Sequence, residues 1–283
     1  MQDASNIFTV LKQAEKILTE NNIAEAKLDA EVLLCGVLNI TRNNLSLLRN
    51  KTLSSEQFDK YQLYIERRIT GEPVSYILEK SEFMGLNFFV NKNVLIPRQE
   101  TEILVEEVIK SIKQNKNLKI LLDIGTGSGC IPVSICKYCD VSAVAVDISV
   151  SALEIAKQNA LSNGVGNKII FKTSDMFNNI SEKFDIIISN PPYVTEYEFK
   201  TVQKELLFEP ENALVAADNG LFFYKIIADN LSLFLNSGGM AFFELNSNLS
   251  KDIKAIFEDK GYKNNKIIKD YAGLDRVLVI KNG

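Results

Sequence analysis

A glycine-rich stretch and a downstream acid have the residue types and spacing of a nucleoside-binding site. The segment LLDIGTGSGC carries Gly125, Gly127 and Gly129 where a strand must turn into a helix. Glycine at such a turn lets the backbone approach a ligand closely. Asp147 ends the next strand roughly 20 residues later, the spacing at which an acid meets ribose hydroxyls. A tight turn, with the acid capping a helix that starts near Ser149, is the structural alternative.

Three details favour S-adenosylmethionine as that cofactor. GTGSGC reads GxGxG rather than the dinucleotide pattern GxGxxG, and Asp123 before it suits a cationic methionine group better than a pyrophosphate. Asp175 and Met176 end a third strand, where they can bind the adenine amino group and pack on its ring. The predicted cofactor-binding residues are Asp123, Gly125, Thr126, Gly127, Ser128, Gly129, Asp147, Ile148, Asp175, Met176 and Asn190.

The segment SNPPYV ends a fourth strand, FDIIIS, with an asparagine and two prolines. Proline cannot donate to a sheet ladder, so the strand must stop there. The two prolines either act as a plain breaker or form a rigid mount for the Asn190 side chain and the nearby carbonyls. The motif alone leaves both readings open.

These residues require strands that alternate with helices. KILLDIG, SAVAVD, KIIFKTSD, FDIIIS, MAFFEL and RVLVI read as strands, and helical patterns separate them, which predicts an α/β fold with a doubly wound, mostly parallel sheet. Before them, the pattern is helical from Asn6 to about Thr70, with Ser54 and Gln57 as a predicted capping box. The stretch from Phe83 to Ile96 predicts a β-hairpin that turns at NKN.

Composition narrows the class of protein. The 283 residues carry a formal charge of −4 and a pI near 5.2, which disfavours DNA or RNA as the main partner. No apolar stretch reaches the roughly 20 residues that cross a bilayer, and the N-terminus lacks a signal pattern, so we expect a cytoplasmic protein. The chain has no histidine, so CKYC at Cys136 and Cys139 is expected to hold reduced thiols rather than a metal.

With these motifs in place, the sequence resembles the class I S-adenosylmethionine-dependent methyltransferases, whose amino-group branch carries NPPY. Over nearly the whole chain it resembles the release factor glutamine methyltransferases, the HemK family, through GEPVSYI, IPRQETE, DIGTGSG, NPPYV, FEPENAL and DYAGLDRVLVI. The resemblance implies a Rossmann-like seven-stranded sheet. It also implies three parts: a helical substrate-recognition domain at 1–72, a hairpin linker at 73–98 and a catalytic domain at 99–283.

The resemblance also implies residue roles. Asn190 Oδ1 and the Pro191 carbonyl accept hydrogen bonds from the target NH2, and Tyr193 packs on the planar group. The predicted catalytic residues are therefore Asn190, Pro191, Pro192 and Tyr193, and these four are also predicted to bind substrate together with Phe208, Glu209, Pro210 and Arg98. FEPENAL either walls the substrate pocket or caps the sheet, and Arg98 either orders the entrance or docks the hairpin through an ion pair.

The implied reaction is methyl transfer to the glutamine amide in the GGQ motif of class-1 peptide chain release factors, with S-adenosylhomocysteine as product and the enzyme as a monomer. A ribosomal protein glutamine methyltransferase and a DNA adenine methyltransferase remain alternatives, as do a catalytically silent cofactor-binding module and a nicotinamide dehydrogenase. Three positions depart from the family pattern: Gln99 replaces a proline, Asn246 and Ser247 follow FFEL, and Met176 is smaller than usual.

Overall fold

The computed structural model describes residues 6–282. Residues 1–5 and Gly283, which belong to the predicted helical and catalytic domains, lie outside the described residues. The chain forms two compact units, one of Met1–Lys80 with Gln203–Phe208 and one of Ser81–Val202 with Glu209–Gly283. The first is called the helical unit below, and the second the sheet unit.

The helical unit contains the predicted helices and one segment from far along the chain. Its elements are α1 (Ile7–Glu20), α2 (Ala26–Leu38), α3 (Arg42–Leu47), α4 (Ser55–Ile69), α5 (Val74–Ile77) and a 3-10 helix (Lys204–Phe208). The predicted capping box is confirmed. Gln57 N donates to the Ser54 hydroxyl, and Ser54 N donates to Gln57 Oε1. The apolar sides of α1, α2 and α4 form one core around the buried Leu18, Leu33 and Ile65.

A buried ion-pair cluster holds the distant segment to the helices of this unit. The Arg68 guanidinium donates to Asp29 and to Glu205, both at 2.7 Å. Arg68 is buried, so both carboxylates compensate a charge that would otherwise be costly to desolvate.

The hairpin is smaller than predicted. Strands β1 (Ser81–Phe83) and β2 (Leu86–Phe88) pair antiparallel and turn at Met84 and Gly85, so the predicted turn at NKN was wrong. The ladder ends at Phe88, and the buried Asn159 amide binds the backbone of the next residue: Phe89 N donates to Asn159 Oδ1 at 2.7 Å, and Asn159 Nδ2 donates to Phe89 O at 3.0 Å.

A seven-stranded sheet forms the centre of the sheet unit and confirms the predicted class. Its strands are β3 (Ile120–Ile124), β4 (Ser142–Asp147), β5 (Ile169–Thr173), β6 (Phe184–Ser189), β7 (Leu235–Glu244), β8 (Asn265–Lys269) and β9 (Asp275–Lys281). Their order is β5-β4-β3-β6-β7-β9-β8, with β9 antiparallel to both its neighbours. The sequence pattern missed β8.

Helices cover both faces of this sheet. They are α6 (Gln99–Gln114), α7 (Cys130–Tyr138), α8 (Val150–Ser162), α10 (Phe222–Phe234) and α11 (Ser250–Asp259). The short helix α9 (Glu196–Phe199) has no buried residue. Short 3-10 helices lie at Gly166–Lys168, Glu211–Ala213, Asp218–Gly220 and Ser247–Leu249. Gln99 begins α6, and the Asn246 side chain accepts from Asn248 N at 3.0 Å, so both departures from the family pattern have regular local structure.

The register of the parallel strands brings the predicted site residues to one edge. Asp123 lies opposite Ala145 and Ile188, and the carboxyl ends of β3, β4, β5 and β6 meet there. This is where open α/β sheets bind ligands. Within residues 6–282, no helix combines the length and apolar character that crossing a bilayer requires.

Candidate active site

A cavity of about 340 Å³ opens at the carboxyl ends of β3 to β6. Ten of the predicted site residues line it: Gly125, Gly127, Asp147, Ile148, Asp175, Met176, Asn190, Pro191, Pro192 and Pro210. Seven of the eleven predicted cofactor residues and the NPP part of the motif therefore share one space, whereas Asp123, Thr126, Ser128 and Gly129 do not line it.

The three glycines after β3 all have positive φ but serve different purposes. A Cβ at Gly125 or Gly127 would meet no atom within 4 Å, and both residues line the cavity. A Cβ at Gly129 would lie 3.0 Å from the Cβ of Ala156 in α8. Gly125 and Gly127 therefore leave the cavity open to a ligand, whereas Gly129 allows close packing against α8.

Asp147 is held by the backbone of the same turn. Its carboxylate accepts from Gly127 N at 2.8 Å and from Ser149 N at 2.9 Å. Burial raises its pKa, and these backbone donors oppose the rise. Each carboxylate oxygen has two acceptor positions, so both can still accept a hydroxyl from the cavity. The predicted ribose contact and the helix cap of the alternative reading are thus compatible at this residue.

Asp123 lies behind the glycine turn, outside the cavity lining, and is fully buried. Neither of its oxygens meets hydrogen-bond geometry with a described residue, and the same holds for the Thr126 hydroxyl. Burial raises the pKa of Asp123 to about 7, the nearby Thr126 hydroxyl opposes the rise, and the Asp147 carboxylate adds to it. Ser128 is also buried behind the turn, where its carbonyl accepts from Asn159 Nδ2 at 2.9 Å.

Asp175 and Met176 form a tight turn at the far end of the cavity. Met176 has a φ of 48°, a left-handed value that is strained for a residue other than glycine. The Ser174 hydroxyl stabilises this turn by donating to Met176 O at 3.0 Å and accepting from Asn179 N at 3.0 Å. Asp175 is exposed and Met176 half-buried, so the carboxyl and the thioether are both available to a ligand.

Asn190 is linked to two buried residues that the sequence analysis did not select. Its Nδ2 donates to the Thr101 hydroxyl at 3.3 Å, and that hydroxyl donates to Glu244 at 2.6 Å. Burial raises the pKa of Glu244 to about 7, while Thr101, Arg276 and the Tyr193 hydroxyl oppose the rise and Glu100 adds to it. The Tyr224 hydroxyl donates to the backbone carbonyl of Glu244 at 2.7 Å.

The backbone after NPP is fixed on both sides. Val194 N donates to Leu214 O at 2.9 Å, and Ala216 N donates to Val194 O at 2.8 Å. Gly220 lies so close to the Tyr193 carbonyl that a Cβ there would be 2.5 Å from its oxygen. Tyr193 packs against the apolar core, outside the cavity lining, and its predicted packing on the planar target stays a prediction. The loop is therefore a rigid mount.

Arg98 and Glu209 join two walls of the cavity instead of lining it. The buried Glu209 carboxylate pairs with Arg98 and accepts from Ile96 N at 3.0 Å. This connects the segment after the hairpin to the segment that begins at Pro210. Of the two readings for Arg98, the structure thus favours an ion pair that orders the entrance walls. Phe208 belongs to the helical unit, where it packs near Gly71.

The cavity also has lining residues that the sequence analysis missed: Asn93, Val94, Leu95, Ile124, Ser149, Ala152, Ser174, Ser189, Asn212, Ala213, Phe222 and Phe223. Asn93 was assigned to a hairpin turn, so its segment was not considered as a wall. Phe222, at the start of α10, is 43% exposed, which marks it as a ligand-facing residue only once the structure is known.

Two protein-family models match this chain. The PrmC N-terminal domain family matches residues 9–78, and the methyltransferase small domain family matches residues 99–224. A release factor glutamine methyltransferase of Buchnera aphidicola is 38% identical over 96% of this chain and 98% of its own. A release factor glutamine methyltransferase of Clostridium acetobutylicum is 37% identical over 98% of this chain and 99% of its own.

A crystal structure of a methyltransferase from Pyrococcus furiosus has the same fold, with a TM-score of 0.53 at 19% identity. The superposition covers 81% of this chain and 100% of that one. The similarity to the two curated relatives covers 96% and 98% of this chain and so extends over both units. This chain belongs to the release factor glutamine methyltransferase family.

Proposed function

We propose that this protein transfers a methyl group from S-adenosylmethionine to the side-chain amide nitrogen of the glutamine in the GGQ motif of class-1 peptide chain release factors. One observation carries the proposal. Asn190 and Pro191, which suit a target amide, line the same cavity as Gly125, Gly127 and Asp147, which suit a nucleoside. The names of the relatives support the choice of substrate.

The residues present fit the cofactor along the whole cavity. Gly125 and Gly127 leave room for close approach to the backbone, and Asp147 keeps acceptor positions for ribose hydroxyls. Asp175 and Met176 lie where the adenine would bind, with an acceptor for its amino group and a thioether for its ring. Asp123 adds negative charge behind the turn, on the side that we assign to the cationic methionine part.

The chemistry requires activation of a poor nucleophile. An amide nitrogen has its lone pair delocalised into the carbonyl, so the enzyme must orient it and increase its electron density. Asn190 Oδ1 and the Pro191 carbonyl accept the two N–H bonds and aim the nitrogen along the cavity. When bound, S-adenosylmethionine supplies the electrophilic methyl group and leaves as S-adenosylhomocysteine. The proton lost from the methylated nitrogen goes to water, consistent with a chain that has no histidine.

Three parts of the proposal concern the rest of the molecule. The helical domain, residues 1–72, holds the release factor while the GGQ loop enters the catalytic domain. The enzyme acts as a monomer in the cytoplasm. Nucleic acid is not its main partner, in keeping with a net charge of −4.

The test is transfer of labelled methyl groups to a purified class-1 release factor and to the same factor with its GGQ glutamine replaced. We expect label on the intact factor only. Asn190→Ala should abolish the signal, whereas Asn178→Ala, at an exposed position outside the cavity lining, is the matched control and should retain it.

Two results would contradict the proposal. Label on ribosomal protein or DNA but not on the factor would keep the reaction and replace the substrate. Binding of S-adenosylmethionine without turnover on any of these substrates would indicate a silent binding module.

A further inference from the structure

We propose that Thr101 and Glu244 are positioning residues that fix which end of the Asn190 side-chain amide faces the target. The inference rests on the proposed function, because it assigns a reason for the orientation of an acceptor in that reaction. It concerns residues in two other elements of the sheet unit, at the start of α6 and the end of β7.

The contacts form a short chain of hydrogen bonds away from the solvent. Glu244 is 1% exposed and Thr101 is 2% exposed. The Thr101 hydroxyl donates to Glu244 Oε2 at 2.6 Å, a distance typical of a charge-assisted bond. Asn190 Nδ2 donates to the oxygen of that hydroxyl at 3.3 Å.

The number of hydrogens decides the direction of every bond. A threonine hydroxyl has one hydrogen, and above its pKa of about 7 the Glu244 carboxylate is ionised and can only accept. Because Thr101 gives its hydrogen to Glu244, its oxygen can only accept from Asn190. The Asn190 end that faces Thr101 must therefore be NH2, which leaves Oδ1 as the acceptor for the target.

The opposite orientation would slow the reaction. Without an acceptor at position 244, the Thr101 hydroxyl is free to donate to Asn190 Oδ1. The Asn190 amide would then turn its NH2 toward the target NH2, so that two donors would face each other. Orientation of Asn190 thus depends on a carboxylate that touches neither the target nor the cavity lining.

Three variants test this relay by its effect on kcat. Thr101→Val keeps the shape of the side chain and removes the acceptor, and Glu244→Met keeps the approximate length and removes the carboxylate. Each should lower kcat by about 100-fold, the cost of misplacing a reacting group, with KM for both substrates near the wild-type value. Thr101→Ser restores the hydroxyl and should recover most of the loss.

The double variant and a control separate positioning from folding. Thr101→Val with Glu244→Met should be no slower than either single variant, because both break one chain of bonds. Ser111→Ala removes another buried hydroxyl from α6 and should keep the wild-type kcat. Multiplied losses in the double variant, a wild-type kcat for Thr101→Val, or a rise in KM alone would overturn the relay.

A spectroscopic measurement keeps the relay testable without turnover. In protein labelled with 15N in asparagine side chains, the Asn190 signal is identified by its loss in Asn190→Ser. We expect it to shift in Thr101→Val and Glu244→Met but not in Ser111→Ala. If the wild type does not methylate a release factor and the signal shifts as expected, the proposed function fails and the relay stands. An unchanged signal overturns the relay itself.

Discussion

Replacing Asp123 with asparagine should stabilise the cofactor-free protein at pH 8. The wild-type carboxyl is fully buried without hydrogen-bond geometry to a described residue, which raises its pKa from 3.8 to about 7. The folded state therefore binds a proton between these values that the unfolded state releases. The contribution of Asp123 to the free energy of unfolding consequently falls as the pH rises from about 4 to about 7. Above pH 7 the full cost of burying the ionised carboxylate is present.

The size of this effect follows from the two pKa values. The rise to about 7 corresponds to a cost of about 4 kcal/mol for the ionised carboxylate in the fold. The amide in Asp123→Asn lacks partners in the same place, which costs about 1–3 kcal/mol. We therefore expect the variant to gain about 1–3 kcal/mol over the wild type at pH 8 and to lose this advantage near pH 4.

Urea unfolding from pH 4 to pH 8 measures this difference directly. Asp175→Asn, which changes an exposed aspartate at the end of β5, is the control and should follow the wild-type curve. The same Asp123→Asn protein should bind S-adenosylmethionine more weakly by calorimetry, because a negative charge near the cationic group is lost. Parallel stability curves for wild type and Asp123→Asn would refute the reasoning.

Four further substitutions separate the reaction, the cofactor and the fold. Asn190→Ala should lower kcat by about 100- to 1,000-fold with an unchanged cofactor Kd, and an equal loss of binding by calorimetry would contradict its assignment to the target amide. Asp147→Ala should weaken the cofactor by about 1.5–3 kcal/mol, and an unchanged Kd would remove this residue from the site. Gly129→Ala should lower the free energy of unfolding by about 2–5 kcal/mol through strain and contact with α8, whereas Gly127→Ala should cost only about 1–2 kcal/mol and mainly weaken the cofactor. Equal destabilisation by the two glycine variants would contradict the distinction drawn from their surroundings.

Local sequence was sufficient for the parts of the site that follow strands directly. The strands before Asp147, Asp175 and Asn190 are short apolar runs, and parallel strands necessarily bring their carboxyl ends to one edge. Spacing could not separate the roles of the three glycines, because the contact that requires Gly129 is with Ala156, in a different helix.

The missed features depend on contacts between residues far apart in sequence. Thr101 and Glu244 have no local signal, since only the packing of α6 on the sheet brings them together. The hairpin was predicted too long, and the contact that occupies the backbone just after its ladder comes from Asn159, a residue of the distant α8. Strand β8 is short and mixes lysine with isoleucine, so its pattern is weak without its partner β9.

The helical unit is built from two stretches of chain, and this affects the denatured state of the whole protein. The chain leaves the helical unit after residue 80 and returns to it at residue 203. When the helical unit is folded, residues 81–202 therefore form a closed loop. Tying the ends of a long segment reduces the number of unfolded conformations available to it. The packing of Arg68 with Glu205 therefore adds stability to the sheet unit through chain connectivity alone. A chain shortened to begin at residue 81 would lose this entropic contribution and leave Glu205 without its cation.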